Sequence, residues 1–133
     1  MMKNLLLALG LTVSLNSAAN LCELPSSADL NVNYSELECD HATKQVRIYK
    51  PKYELDGKER PLLMIEQEFL QWHESYLDRV CSLFGFEAYV DFKTKKVFAY
   101  MSKGIGLKGR FFKKMEVLRK SPNKAPFKYI TCQ

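Results

Sequence analysis

The sequence has only two histidines, and none of its four cysteines forms a Cys-x-x-Cys pair. Structural zinc sites are built from closely spaced cysteines and histidines, so nothing here predicts one. Internal repeats and low-complexity runs are also missing, which argues against a repeat array or a disordered tail. We therefore expect a protein that carries no metal and no cofactor.

Long apolar runs are scarce as well. The run from Leu5 to Leu15 is too short to cross a bilayer as a helix, but Lys3 precedes it and small residues follow it at positions 17–19. This arrangement is typical of a secretory signal peptide, and a buried N-terminal helix is the alternative. We expect residues 1–19 to be cleaved and residues 20–133 to be exported, to the periplasm or the extracellular space, without a stable membrane span.

What is present fits one globular domain. The chain has 133 residues, of which 47% are hydrophobic and 26% are charged, so residues 20–133 can bury a core as a single unit. In an oxidising compartment four cysteines predict two disulfides, for which three pairings exist. We favour Cys81–Cys132, which would tie the predicted helix to the last strand, and Cys22–Cys39, which would tie the N-terminal arm to the first strand.

One segment has a long helical pattern. Over Ile65–Phe84, apolar residues recur three and four positions apart on one side, whereas the opposite side is almost entirely polar. We predict an amphipathic helix that Gly85 ends, because glycine commonly follows the last helical residues. A helix with so wide an apolar side needs a sheet or other helices to cover it.

The segments on either side of this helix predict short strands. Alternating residues indicate one hairpin from Tyr34–Cys39 and Gln45–Tyr49, and a second from Ala88–Phe92 and Val97–Met101 around a basic turn. The segment Leu62–Met64 fits either a strand or the first turn of the helix.

The C-terminal third has a less regular pattern. Lys103–Gly109 carries three glycines and predicts a mobile loop. Arg110–Arg119 fits a helix or a strand, and we favour a strand that returns through residues 121–126 to pair antiparallel with Phe127–Cys132. The predicted class is α+β: one long amphipathic helix packed on a curved antiparallel sheet of four to six strands, braced by disulfides.

Charge is distributed unevenly along the chain. Residues 20–80 contain 12 acidic and 7 basic residues, whereas residues 81–133 contain 3 acidic and 12 basic. A basic half favours an anionic partner, such as an anionic surface, a glycan or an acidic protein; a solvated lysine surface is the alternative. The candidate binding residues surround the glycine-rich segment and are Lys103, Lys108, Arg110, Lys113 and Lys114.

The glycines at positions 104, 106 and 109 match the Gly-x-Gly-x-x-Gly string of dinucleotide-binding loops. The string lacks its usual context, because no strand-helix-strand unit surrounds it and no acidic residue follows about 20 positions later. We therefore expect no nucleotide cofactor. A milder hypothesis is that these backbone amides, with the basic residues beside them, hold some other anion.

Catalysis has one candidate pair. His73 lies near the middle of the apolar side of the predicted helix, with Glu66 on the same side, and an imidazole beside a carboxylate can act as a general base. A neutral core histidine is the favoured interpretation. A glycosidase that uses carboxylates alone, drawn from Glu66, Glu68, Glu74 and Asp78, is conceivable, although the last three lie on the polar side.

These patterns together predict an exported, disulfide-stabilised binding module without catalytic activity, whose basic C-terminal half contacts an anionic partner. A small secreted hydrolase that uses Glu66 and His73 is the first alternative. An inhibitor or immunity-type protein that blocks a partner enzyme is the second, because small exported disulfide-bonded domains often serve in that way.

Overall fold

The computed structural model describes residues 22–133, so the signal peptide predicted at 1–19 lies outside the described residues. The described chain forms ten strands, one α-helix and one 3₁₀ turn. The strands are β1 (Val32–Asn33), β2 (Glu36–Asp40), β3 (Gln45–Tyr49), β4 (Lys52–Leu55), β5 (Lys58–Pro61), β6 (Leu63–Ile65), β7 (Tyr89–Thr94), β8 (Lys103–Lys108), β9 (Lys114–Arg119) and β10 (Lys124–Cys132). The helix α1 spans Leu70–Leu83, and the 3₁₀ turn spans Arg110–Phe112. Within residues 22–133 no helix is both long enough and apolar enough to cross a membrane.

Helix α1 begins five residues later than predicted and is correspondingly short. Ile65 belongs to β6, where it pairs with Lys124 of β10, and the chain is still extended at Phe69, with φ −111° and ψ 144°. Strand pairing therefore overrides the helical pattern in this stretch. The predicted end is confirmed, because Gly85 follows the helix with a φ of +92°, which glycine adopts without strain.

The strands form three sheets rather than the single curved sheet predicted. The largest is centred on β10, which pairs with β3, β6 and β7, and β2 extends it from β3. A second sheet has the order β1-β4-β5, and β8 and β9 form the third. All of these strand pairs are antiparallel, and one helix packs against them, so the α+β class is confirmed.

The difference from a single sheet has its origin in the pairing of β10. Both edges of this strand are occupied, by β3 on one side and β7 on the other, so β9 cannot pair with it and pairs with β8 instead. Val97–Met101 forms no strand, so the second predicted hairpin is wrong, and within the described chain β7 pairs with β10 instead. The predicted hairpin from Tyr34–Cys39 and Gln45–Tyr49 is confirmed as β2 and β3.

Lys103–Gly109 is not a mobile loop, because most of it is β8. Two of its glycines allow β8 to lie very close to the segment that contains β6. A Cβ atom on Gly104 would lie 2.5 Å from Leu63 Cδ2, and one on Gly106 would lie 2.6 Å from Ile65 Cδ1. Glycine is required here by close packing rather than by a turn.

Both predicted disulfides are confirmed. Cys81–Cys132, with a Cα–Cα distance of 5.7 Å, links α1 to β10, and Cys22–Cys39, at 5.6 Å, links the N-terminal arm to β2. The first bond lies inside the core, where both of its cysteines are fully buried. The bond thus fastens the end of the helix to the central strand.

Tyr76 joins the helix to two strands within the core. Its side chain is fully buried, its hydroxyl donates a hydrogen bond to the Leu63 carbonyl, and the Leu107 amide donates to the hydroxyl oxygen at 3.3 Å. Burial raises the pKa of Tyr76 far above its usual value. This polar contact fixes α1 against both β6 and β8.

Candidate anion-binding site

The five binding residues predicted from the sequence do not form one cluster. Lys103 lies at one end of the β8-β9 hairpin, whereas Lys108 and Lys114 face each other at the other end. Five residue steps of about 3.3 Å separate Lys103 from Lys108, so roughly 17 Å lies between their Cα atoms. Arg110 and Lys113 belong to the turn beside Lys108. We call Lys108, Arg110, Lys113 and Lys114 the hairpin turn cluster.

The same turn also presents an aromatic ring. Phe111 and Phe112 both have left-handed backbone conformations, with φ of 59° and 53°, which cost on the order of 1 kcal/mol or more each. Phe112 packs edge-on against Tyr76, with ring centroids 5.3 Å apart. Phe111 is 69% exposed and lines a cleft of about 720 Å³ with Trp72 and Arg110. The packing of Phe112 thus fixes the turn and leaves Phe111 in solvent.

A second basic site, which the sequence did not predict, lies where the three sheets meet. Five lysines line a pocket of about 260 Å³. We call it the five-lysine pocket; its lysines are Lys50, Lys52, Lys95, Lys120 and Lys128. The rest of the lining is apolar, from Pro61, Pro126 and Phe127, and it includes no carboxylate.

Backbone pairing brings these lysines together. The Lys50 amide donates to the Lys128 carbonyl at 3.0 Å, which continues the β3-β10 ladder by one residue. Lys52 pairs with Pro61 across β4 and β5, and the Lys95 amide donates to a β10 carbonyl at 2.8 Å. The pocket is therefore assembled by long-range strand pairing, not by one loop.

Two of the lysines lie at irregular points of the backbone. Lys50 has a φ of 50°, a left-handed conformation that residues other than glycine rarely adopt. Lys128 is an extra residue in β10, because the register against β7 shifts between Phe127 and Tyr129. Bulges of this kind redirect a side chain, and irregular backbone is concentrated at ligand sites.

The pocket carries an excess of positive charge. Lys52 has one ion pair, with Glu59 Oε1 at 4.0 Å. Within residues 22–133 the other four ammonium groups have no carboxylate within that distance. Like charges at facing positions of neighbouring strands, as at Lys50 and Lys128, destabilise a sheet. An anion in the pocket would remove this repulsion.

Sequence reasoning missed this pocket for a physical reason. Lys50 and Lys52 belong to the acidic half of the chain, whereas the other three lysines come from the basic half. The pairing of β10 with β3 and β7 brings lysines of the two halves together. The one local signal is the string Lys50-Pro51-Lys52, in which a fully buried proline separates two lysines that line the pocket.

The candidate catalytic residues Glu66 and His73 line a single small cavity of about 190 Å³. His73 is half-buried rather than buried, and within the described chain no hydrogen bond or ion pair joins it to Glu66. Glu68 and Glu74 are exposed, and Asp78 accepts a backbone hydrogen bond at 2.9 Å. Among residues 22–133, no cluster of three histidines, cysteines or carboxylates could hold a metal ion.

Comparison with known proteins gives no guide to function, because no family model, no curated protein and no solved structure matches this chain. An architecture alone does not specify a function, since one fold serves many activities. A function must therefore be inferred from the chain's own side chains, and among the described residues positive charge is concentrated in the five-lysine pocket and in the hairpin turn cluster.

Proposed function

We propose that the protein is an exported, non-catalytic binding module that holds an anionic partner in the five-lysine pocket. The observation that carries this proposal is the convergence of five lysines on one cavity whose lining includes no carboxylate. Charges of one sign around a cleft with apolar walls attract counter-ions and raise their local concentration. The two disulfides are consistent with an oxidising compartment outside the cytosol.

The pocket suits an anion better than the hairpin turn cluster does. Its lysines surround a concave space, so several ammonium groups can contact one anionic group at the same time. Of the hairpin turn cluster, Arg110 alone lines a cleft, and its guanidinium already lies 5.5 Å from the centre of the Phe111 ring. That cluster therefore offers a dispersed positive surface rather than a site.

A small hydrolase is the second candidate, and the shared cavity of Glu66 and His73 is the observation that favours it. No hydrogen bond or ion pair in the described chain orients the imidazole against the carboxylate. A general base needs such a contact with the group that positions it, so this observation supports binding over catalysis.

The test is a calorimetric titration of the disulfide-bonded protein with inorganic polyphosphate at low and at high salt. Two triple variants carry the same change in net charge. They are Lys95→Glu, Lys120→Glu and Lys128→Glu in the pocket, and Lys108→Glu, Arg110→Glu and Lys113→Glu at the hairpin turn. We expect the pocket variant to bind at least about ten-fold more weakly, which corresponds to the loss of one charge-assisted hydrogen bond. The hairpin variant should lose much less affinity for polyphosphate. Binding by the unchanged protein should weaken as the salt concentration rises.

Each outcome has a distinct meaning, provided that neither variant melts at a lower temperature than the unchanged protein, as expected for surface charges. Equal losses would show that only net charge matters, and a larger loss in the hairpin variant would move the site to the hairpin turn cluster. If the unchanged protein does not bind polyphosphate at low salt, the proposal is wrong and the basic residues form only a solvated surface. Recovery of a protein partner instead would support the inhibitor or immunity-type alternative.

A further inference from the structure

A loop with exposed apolar side chains extends from the rim of the five-lysine pocket. We call residues 96–101 the aromatic loop. Before the loop, the Lys95 amide donates to the Pro126 carbonyl at 2.8 Å; at its end, the Met101 amide donates to the Lys120 carbonyl at 3.2 Å. Lys95, Lys120 and Pro126 all line the pocket. Both ends of the loop are therefore fixed to the pocket wall.

The aromatic loop turns its largest side chains to solvent. Phe98, Tyr100 and Met101 are 81%, 72% and 56% exposed, whereas Val97 is only 6% exposed and anchors the loop to the body of the protein. Lys96 Nζ lies 5.4 Å from the centre of the Phe98 ring, so a further cation accompanies the exposed rings. Large apolar side chains that are exposed together indicate an interaction surface.

We propose that the five-lysine pocket and the aromatic loop together dock on an anionic lipid bilayer. The pocket holds the phosphate of a lipid headgroup, and the loop inserts Phe98, Tyr100 and Met101 among the headgroups and the upper acyl chains. This inference rests on the proposed function and names its partner. A bilayer presents anionic phosphates directly beside an apolar layer, and the protein has a pocket lysine at each end of a loop of exposed apolar residues.

The side chains suit this interface individually as well. Tyrosine has an apolar ring and a polar end, and it is enriched at the boundary between lipid and water. Lysine can extend its charged end towards phosphates while its methylene groups lie against apolar atoms. The apolar floor formed by Pro61, Pro126 and Phe127 can contact the glycerol and first methylene groups of a lipid.

Soluble polyanions match the surface less completely. An inorganic or sugar-based polyanion would use the lysines but would leave Phe98 and Met101 exposed. A single-stranded nucleic acid could stack its bases on Phe98 and Tyr100. It would, however, find no planar partner in Met101 or in the prolines of the pocket floor.

Co-sedimentation with vesicles tests the proposal, with vesicles of phosphatidylcholine alone and of phosphatidylcholine mixed with phosphatidylglycerol. The loop variant carries Phe98→Ser, Tyr100→Ser and Met101→Ser, and the pocket variant carries Lys95→Glu, Lys120→Glu and Lys128→Glu. Phe111→Ser is the matched control, because it removes an exposed ring elsewhere on the surface. Polyphosphate and oligothymidylate are titrated in parallel.

We expect the unchanged protein and the Phe111→Ser control to sediment only with the vesicles that contain phosphatidylglycerol. The pocket variant should lose about five-fold or more in partition coefficient for each lysine replaced and should also lose its affinity for polyphosphate. The partition coefficient of the loop variant on anionic vesicles should fall at least about ten-fold, while its affinity for polyphosphate stays the same. Phe98→Trp should show a blue-shifted emission on anionic vesicles, measured against the constant background of Trp72.

The outcomes separate this inference from the proposed function. If the loop variant still binds vesicles as the unchanged protein does, the bilayer proposal is wrong. The same holds if the unchanged protein binds polyphosphate but not vesicles. Either result leaves the proposed anion site intact. Tighter binding of oligothymidylate that depends on the aromatic loop would replace the bilayer by a nucleic acid. If the unchanged protein binds neither polyphosphate nor vesicles, both proposals are wrong.

Discussion

Lys50 and Lys128 face each other at the end of the β3-β10 ladder, joined by the hydrogen bond of 3.0 Å from the Lys50 amide to the Lys128 carbonyl. Their backbones are thus fixed together although their side chains carry the same charge. Within the described residues neither ammonium group has a carboxylate within 4.0 Å. Like charges at facing positions of paired strands disfavour the folded state, so we expect the proposed binding of an anion here to be linked to stability.

Lys128→Glu tests this linkage. The substitution replaces a repulsion across the strands by an attraction, so the free energy of unfolding without anions should rise by about 0.2–1 kcal/mol. The increase in melting temperature caused by polyphosphate should shrink at the same time. Thermal unfolding with and without polyphosphate measures both effects, and Lys113→Glu at the exposed turn is the control. If the variant is less stable than the unchanged protein and polyphosphate still raises its melting temperature by the same amount, Lys128 is not part of an anion site.

The close approach of β8 to the segment of β6 gives a second prediction. A Cβ atom on Gly104 would lie 2.8 Å from the Pro61 carbonyl oxygen, which belongs to the backbone and cannot rotate away. The contacts of a Cβ atom on Gly106 are the ends of flexible side chains, such as Ile65 Cδ1 at 2.6 Å. We expect Gly104→Ala to lower the free energy of unfolding by about 3 kcal/mol and Gly106→Ala by about 1 kcal/mol, within the usual range for overpacking.

Urea denaturation of both variants checks this order, with Gly57→Ala as the control. Gly57 has a φ of +77° and open space around its Cα, so alanine there should cost only the backbone strain of about 1 kcal/mol. If Gly104→Ala unfolds at the same urea concentration as the unchanged protein, β8 does not approach Pro61 as closely as described.

Local sequence features predicted the parts of the fold that depend on local chemistry. The β2-β3 hairpin follows from alternation around a polar turn, and the end of α1 follows from Gly85. The start of α1 could not be predicted in the same way, since Ile65 fits a helical pattern and a strand equally well. The pairing of β6 with β10 decides the matter, and no periodicity within the segment reveals a partner about sixty residues away.

The candidate site shows the same limit more strongly. Lys95, Lys120 and Lys128 belong to the basic half of the chain, but none of them was among the predicted binding residues. The glycines at 104 and 106 resembled an anion-binding loop, but they are in a strand where packing against Leu63 and Ile65 requires them. A glycine pattern alone does not distinguish close packing from a ligand loop.

His73→Gln distinguishes the binding interpretation from the hydrolase alternative. His73 is half-buried, its ring lies 6.0 Å from that of Phe92, and no hydrogen bond of its imidazole is found in the described chain. The substitution should therefore lower the free energy of unfolding by less than about 1 kcal/mol, as a site without a buried polar contact would. Polyphosphate affinity should not change. Loss of a hydrolytic activity at an unchanged melting temperature would instead place His73 in a catalytic site.

Because of Tyr76, the free energy of unfolding should depend on pH in the alkaline range. Burial raises the pKa of its hydroxyl well above 10 in the folded protein, whereas the unfolded chain has the ordinary value of about 10. Below pH ~10 both states keep the proton, and the contribution of Tyr76 is fully present. Above that pH the unfolded state loses its proton first, so the free energy of unfolding should fall by about 1.4 kcal/mol per pH unit for this group.

Tyr76→Phe removes this dependence together with the hydrogen bonds to Leu63 and from Leu107. At neutral pH the variant should be less stable by about 1–3 kcal/mol, because a buried carbonyl and a buried amide lose their partner. As pH rises above about 10, the difference in free energy of unfolding between the two proteins should become smaller, since only the unchanged protein loses the Tyr76 contribution. Urea denaturation from about pH 8 to about pH 11 measures both slopes, and the other tyrosines titrate equally in the two proteins. Parallel slopes would show that the Tyr76 hydroxyl is not the buried donor that holds α1 against β6.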